Sequence, residues 1–282
     1  MTNSRLVVLG ATGFVGSHLT SLAQSQGLEV LPLGSNDLDL RHPDASTRLS
    51  DLLREADILV NCAAIAPSKS SNDVAANLSM AQAITDAARL RPVAHQVLVS
   101  SDAVYGTASG VVNEECPCNP DSLHGVMSLG RELIANEAPV KGLTVLRPAP
   151  IYGDGDTHNA YGPNRFARQA LESGMIEVFG KGEARRDHVT VGDVATIAMK
   201  AALQRFSGIL NVASGNSISF SELAVAVGNQ TGATVASVGS ESLPTHRAFD
   251  TSRLARTFPD VVPTTPTLGI PQMLASMKDH KS

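Results

Sequence analysis

The chain has 282 residues, of which 43% are hydrophobic and 17% charged, and its 22 Lys+Arg against 27 Asp+Glu leave a net charge of −5. This balance supplies a core, excludes a disordered tail and argues against a nucleic-acid partner, which would call for a basic excess. No apolar run reaches the roughly 18 residues of a membrane span, the N-terminus lacks a signal-peptide pattern, and three cysteines make no disulfide framework, so the expectation is a reduced, cytoplasmic protein with no membrane partner.

Leu6-Val7-Val8-Leu9 is a short apolar run that ends at Gly10 and reads as a strand. From Phe14 to Gln26 the apolar residues fall at Val15, Leu19, Leu22 and Ala23, which is helical spacing. Leu28 to Leu33 reads as a strand, about 43–54 as a helix and Ile58-Leu59-Val60 as a strand. A long helix over about 73–91 precedes the strand Gln96-Val97-Leu98-Val99. A further helix is expected over about 125–137, and Thr144-Val145-Leu146 reads as a further strand. Strands separated by helices of this length predict βαβ units. The predicted fold class is α/β, a doubly wound parallel sheet with a smaller C-terminal lobe. The segment 152–164 is rich in Gly, Asp, Asn and Pro and reads as a loop.

Gly10-Ala11-Thr12-Gly13-Phe14-Val15-Gly16 follows the first strand and opens the first helix. Gly10 permits the tight turn, Gly13 the approach of a pyrophosphate, and Gly16 close packing of helix on strand. The phosphates would sit at the helix N-terminus, where N–H groups and the helix dipole favour negative charge. The motif predicts a dinucleotide-binding Rossmann domain over 1–150, with later strands able to join it, and a substrate-binding lobe over 151–282. The cofactor would cross the C-terminal ends of the strands where strand order reverses. At the end of the second strand, where an acid commonly meets the ribose 2′-hydroxyl, stands Gly34-Ser35-Asn36, with neither an acid nor an arginine. NAD and NADP both stay open. Asp39, followed by Leu40, either contacts the adenine or caps the helix that begins near Pro43.

The chain resembles the extended short-chain dehydrogenase/reductases, the nucleotide-sugar epimerase/dehydratase group. The glycine loop carries the likeness first. Asn61-Cys62-Ala63-Ala64 resembles the cofactor-lining loop after what the family counts as its fourth strand, and Asn77 the asparagine of the next helix. Ser100-Ser101-Asp102-Ala103-Val104-Tyr105-Gly106 resembles the segment of the catalytic Ser/Thr, which falls on Ser101. The run from Leu146 through Arg147, Pro148 and Ile151 to Gly153 resembles the strand and turn beside the nicotinamide. Arg186-Asp187-His188-Val189 resembles the substrate-lobe signature, whose arginine grips a diphosphate, and Arg247 to Arg253 completes the pattern.

The resemblance implies an NAD(P)-dependent epimerase or reductase of a nucleotide-diphosphate sugar, and a homodimer formed through a bundle that includes the catalytic helix. It implies cofactor contacts from Gly10, Thr12, Gly13, Phe14, Val15, Gly16, Ser35, Asp39, Leu40, Cys62, Ala63, Ala64, Asn77, Ser100, Pro148 and Ile151. Substrate contacts would come from Asp102, Tyr161, Arg165, Arg186 and Arg247, arginine being suited to phosphate by its planar fork of donors.

The likeness breaks at the catalytic pair. Where the family has Tyr-x-x-x-Lys, this chain has His124-Gly125-Val126-Met127-Ser128, with Glu132 preserving the register. In one reading His124 takes over proton transfer, since a histidine's unperturbed pKa of about 6.5 needs no lysine to tune it. Ser128 then bonds a ribose hydroxyl, and Ser101 the reacting oxygen. In the other reading the site is degenerate and the chain is a non-redox cofactor- or nucleotide-sugar-binding protein. The acid that accompanies Asp102 in the family's dehydratases falls on Ala103, so full dehydratase chemistry is not expected. No metal site is expected.

Overall fold

A computed structural model describes residues 4–107, 110–160, 162–240 and 244–279. In chain order the elements are β1 (Leu6–Leu9), α1 (Phe14–Ser25), β2 (Val30–Leu33), α2 (Ala45–Leu52), β3 (Ile58–Asn61), α3 (Ser71–Leu90), β4 (His95–Val99), β5 (Gly110–Val112), α4 (Leu123–Ala135), β6 (Leu143–Pro148), β7 (Ile151–Tyr152) and α5 (Pro163–Ser173). There follow β8 (Met175–Phe179), β9 (Arg185–Asp187), β10 (Val189–Thr190), α6 (Val191–Leu203), β11 (Gly208–Val212), β12 (Ser217–Ser219), α7 (Phe220–Thr231), β13 (Thr234–Val238), β14 (Arg247–Phe249), α8 (Ser252–Thr257) and α9 (Pro266–Asp279).

The chain forms two compact units. The first comprises 1–106, 114–148 and 194–211, the second 107–113, 149–193 and 212–282. The chain returns to the first unit through most of α6 and β11. The first unit holds a six-stranded sheet in the order β11-β6-β4-β3-β1-β2. The pairings of β1 with β2 and β3, of β3 with β4, and of β4 with β6 are all parallel. This is the α/β architecture expected from the alternating pattern. Every residue of β1, β3 and β4 is buried, as in parallel strands covered on both faces.

The chain leaves β1 for β2 on one side and returns to β3 on the other, so strand order reverses between β1 and β3. Crevices for ligands open outside the strand ends at such a point. The glycine loop follows β1, and Cys62-Ala63-Ala64 follows β3, the third strand of this chain rather than the fourth.

Two helices begin earlier than periodicity suggests, and side-chain caps are the reason. Ser70 Oγ accepts from the Asp73 N–H at 3.1 Å while Asp73 Oδ2 accepts from the Ser70 N–H at 2.9 Å. This capping box starts α3 at Ser71. Ser122 Oγ accepts from the Gly125 N–H at 3.1 Å and starts α4 at Leu123. His124 therefore lies inside the first turn of α4. α3 and α4 pack closely at Gly130, where a Cβ would meet Leu78 Cδ2 at 2.6 Å.

The second unit is built from short pairings: β7 with β10, β8 with β13 and β5 with β14 in parallel, and β9 with β12 antiparallel. Its core gathers Tyr152, Phe166, Ile176, Leu223, Val227 and Ile270. The predicted loop 152–164 is interrupted at both ends, because Tyr152 belongs to β7 and Pro163 and Asn164 open α5. Asn164 fastens the turn, accepting from the Gly153 N–H at 3.0 Å and donating to the Gly153 carbonyl at 2.6 Å. Among the described residues no helix is long and apolar enough to cross a membrane.

Candidate active site

The glycine loop is shaped by backbone contacts. Gly10 has φ +72, a region that favours glycine, and a Cβ there would stand 2.7 Å from Ala63 Cα. A Cβ at Gly16 would stand 2.1 Å from the Gly10 carbonyl oxygen. Gly13 is the N-cap of α1; no side chain caps this helix, and its first turn holds no acid. The first-turn N–H groups, which lack partners within a helix, are thus left for an anion. Beside them lies a cavity of ≈ 320 Å³ lined by Gly10, Thr12, Gly13, Ser35, Asp39, Leu40, Cys62, Ala63 and Ala64, all expected cofactor contacts. An uncapped helix end beside an apolar cleft fits the pyrophosphate and adenosine of a dinucleotide.

Arg41 also lines this cavity, five residues beyond the Gly34-Ser35-Asn36 stretch that carries neither acid nor arginine. Its Nε and NH2 donate to Asp39 Oδ1 and Oδ2 at 2.9 and 2.8 Å. This bidentate pair, with the Arg41 N–H, holds the Asp39 carboxyl down at about 2. Asp39 therefore does not cap the following helix, whose N-cap is Asp44.

The other expected cofactor residues stand elsewhere. Phe14, Val15 and Gly16 form the first turn of α1. Asn77 is fully buried and clamps the loop after β3. It accepts from the Ile65 N–H at 2.9 Å and donates to the Ile65 carbonyl at 3.0 Å, the Asp73 carbonyl at 2.8 Å and Ser68 Oγ at 3.3 Å. Pro148 ends β6 in the first unit, and Ile151 begins β7 in the second.

Ser100 ends in a buried polar network. Its hydroxyl donates to Glu132 Oε1 at 2.5 Å. Arg147 grips the same carboxylate through Nε at 3.0 Å and NH2 at 2.6 Å, and donates through NH1 to the Tyr105 hydroxyl at 2.9 Å. Tyr105 donates to Asn211 Oδ1 at 2.8 Å, and the Asn211 N–H donates to Glu114 Oε1 at 2.8 Å. Sequence reasoning used Glu132 only as a register mark. Its charge on a helix face otherwise facing the core was the available signal.

Ser101 caps a 3₁₀ turn over Asp102–Tyr105, its Oγ accepting from the Ala103 N–H at 3.1 Å. It also donates to Asp102 Oδ1 at 3.5 Å. On α4, His124 Nδ1 lies 3.5 Å from the Ser68 N–H, which donates to it. Ser128 is buried and donates its one hydroxyl proton to the His124 carbonyl at 2.8 Å, so it offers a ribose hydroxyl no second proton. One turn further on, buried Arg131 donates to the Ala63 carbonyl at 2.9 Å and the Val99 carbonyl at 3.3 Å. Burial lowers its pKa to about 10 and pushes the neighbouring Cys62 thiol up to about 12.

The expected diphosphate contacts lie in the second unit. Arg186 and Arg247 sit on β9 and β14, both bordering β12: Ile218 pairs with Arg186, and Ser217 Oγ donates to the Arg247 carbonyl at 2.8 Å. Arg186 donates through NH1 and NH2 to the Thr245 carbonyl and Oγ1 at 2.7 and 2.6 Å. Arg165, on α5, lies over the Phe179 ring at 6.0 Å. Tyr161 lies outside the described residues. Asp187 accepts from the Ser214 hydroxyl at 2.7 Å and the Gly215 N–H at 2.8 Å, holding that turn against β9.

Residues 6–213 match the NAD dependent epimerase/dehydratase family, and the chain belongs to it. It is similar to dTDP-4-dehydrorhamnose reductase of Mycobacterium tuberculosis, 42% identical over 62 residues. That stretch is 22% of this chain and 19% of the reductase, so the match spans about a fifth of each. It is 29% identical over 262 residues to UDP-glucose 4-epimerase of Mycolicibacterium smegmatis, covering 81% of this chain and 83% of that one. Among solved structures, MoeE5 in complex with UDP-glucose and NAD superposes with a TM-score of 0.86 at 24% identity, over 99% of this chain and 100% of the other, a likeness of fold.

Proposed function

We propose that the chain is an NAD(P)-dependent epimerase or reductase of a nucleotide-activated sugar in which His124 moves the proton. The observation that carries the dinucleotide is the uncapped N-terminus of α1 beside the cavity at the strand-order reversal. When bound, a nicotinamide dinucleotide supplies the hydride acceptor and donor. Ser101 holds the reacting oxygen of the sugar, and His124 exchanges a proton with that oxygen as hydride leaves or arrives at its carbon. With the Ser68 N–H donating to Nδ1 at 3.5 Å the neutral ring carries its proton on Nε2 and donates it; the tautomer protonated at Nδ1, which gives up this long bond, accepts one there. The relatives named for UDP- and dTDP-sugars support this substrate class, and Arg165, Arg186 and Arg247 are the candidates for its diphosphate.

A fluorescence titration with NADH and NADPH, after removal of any retained nucleotide, tests the reading. Binding of either is expected, followed by turnover with a screened panel of sugar nucleotides that His124→Phe abolishes. Absence of dinucleotide binding overturns it. The buried Ser128 favours a second reading, a binding protein without redox activity. That reading predicts bound NADH whose absorbance no sugar nucleotide changes.

A further inference from the structure

His124, Ser128 and Arg131 follow one another on α4 at spacings of four and three residues, which places them on one face. Side chains on a helix lean toward its N-terminus, so the Arg131 side chain reaches back toward Ser128. It is the one permanently charged cation of this helix, and only 3% of it is exposed. Its guanidinium bonds two backbone carbonyls, that of Val99 at the end of β4 and that of Ala63 just past β3. Among the described residues no carboxylate is paired with it by contact. The neighbouring acid, Glu132, gives its oxygens to Ser100 and Arg147. The neighbouring Cys62 thiol is held protonated by burial.

Tying two carbonyls does not require a charge, because a neutral side-chain amide also carries two N–H donors. Burying an unneutralised charge costs free energy that packing alone does not recover. If the phosphates sit at the α1 terminus and the adenosine on the β2 side, the ends of β3 and β4 would hold the other half of a dinucleotide. Ala63 lines the cavity there, and its carbonyl receives the guanidinium.

We propose that Arg131 is a positioning residue for hydride transfer: its fixed charge beneath the ends of β3 and β4 favours the reduced, uncharged nicotinamide ring over the oxidised, positively charged one. In the step it assists, the sugar C–H bond breaks and hydride goes to the ring. The hydroxyl proton goes to His124, the sugar carbon is oxidised to a ketone, and the ring loses its positive charge. This inference rests on the dinucleotide reading above.

The test compares dissociation constants for oxidised and reduced cofactor, NAD⁺ against NADH or their 2′-phosphates, in wild type, Arg131→Gln and Arg131→Lys. Arg131→Gln keeps donors for the carbonyls and drops the charge. It is expected to lower the preference for the reduced form about tenfold, or about 30 mV for a two-electron couple. Arg131→Lys is expected to retain the wild-type preference. If Arg131→Gln does not fold, Arg131→Met is measured in its place with the same expectation. A folded, cofactor-binding, uncharged variant with the wild-type ratio overturns the inference. Wild type that binds neither form overturns the dinucleotide reading instead.

Discussion

Glu132→Gln removes one charge from the buried network behind β4 and changes the side chain's size hardly at all. In the native chain Glu132 and Arg147 have side chains only 7% and 4% exposed, joined by two hydrogen bonds with the Ser100 hydroxyl as a third. The substitution leaves the Arg147 guanidinium buried without its counter-ion. Stranding one member of a buried pair in this way costs about 3–5 kcal/mol. Total stability for a domain is about 5–15 kcal/mol, so the loss is a large fraction of it. Removing both charges with Glu132→Leu and Arg147→Met leaves no stranded ion, while the Ser100 hydroxyl loses Glu132 and the Tyr105 hydroxyl keeps Asn211. The double variant is expected to cost at least about 2 kcal/mol less than the sum of its single variants. Urea unfolding followed by circular dichroism reads both quantities, given unchanged m-values. A Glu132→Gln cost below about 1 kcal/mol, or strict additivity in the double variant, would refute the reasoning.

The glycine loop separates two effects. Gly16→Ala drives a Cβ to 2.1 Å from the Gly10 carbonyl oxygen, backbone against backbone, and should cost about 1–3 kcal/mol, visible as a lower melting temperature with no nucleotide present. Gly13→Ala meets its nearest atom at 3.2 Å and should spare most of the stability while weakening NADH or NADPH binding; equal melting temperatures for the two variants would contradict this. His95 and His188 are buried and both lowered to about 4 by desolvation. The unfolded chain therefore binds more protons, so their contribution is intact above about pH 6.5 and is lost as pH falls toward 4, at up to about 1.4 kcal/mol per unit per histidine. A melting temperature that stays flat between pH 6.5 and 5 sinks that expectation. With Arg41 on the cavity wall and no acid at 34–36, NADPH should bind more tightly than NADH, and Arg41→Ala should erase the difference; titrations showing the same ratio in both proteins would exclude the role.

The parts legible in the sequence are those set by local backbone chemistry. The glycine loop could be read because Gly10 and Gly16 answer to contacts within seven residues and to one neighbouring strand end. The alternation of strands and helices survived because apolar periodicity reflects which face is buried. Helix starts were displaced where Ser70 and Ser122 caps outrank periodicity. The polar network behind β4 was not legible, since Glu132 finds partners 32 residues back at Ser100 and 15 residues on at Arg147. The burial of Ser128 was hidden for a similar reason: its hydroxyl turns to its own helix, and nothing in the motif records that. Arg41 was overlooked because the chain bends after Leu33, with the Asp37 and Leu38 N–H groups both donating to the Gly34 carbonyl. That bend carries later residues to the cavity.

The order of the sheet also bears on how the protein must be made. β6 is flanked by β4 on one side and β11 on the other. During synthesis the first five strands of that sheet can pair as they emerge, but β11 spans Gly208–Val212. Until then the apolar run of β6 is a bare edge, able to pair with another nascent chain. About sixty residues, most of them belonging to the second unit, must be translated while that edge waits. A gene cut after residue 150 would make the edge permanent, so a separately expressed N-terminal fragment should aggregate where the whole chain does not.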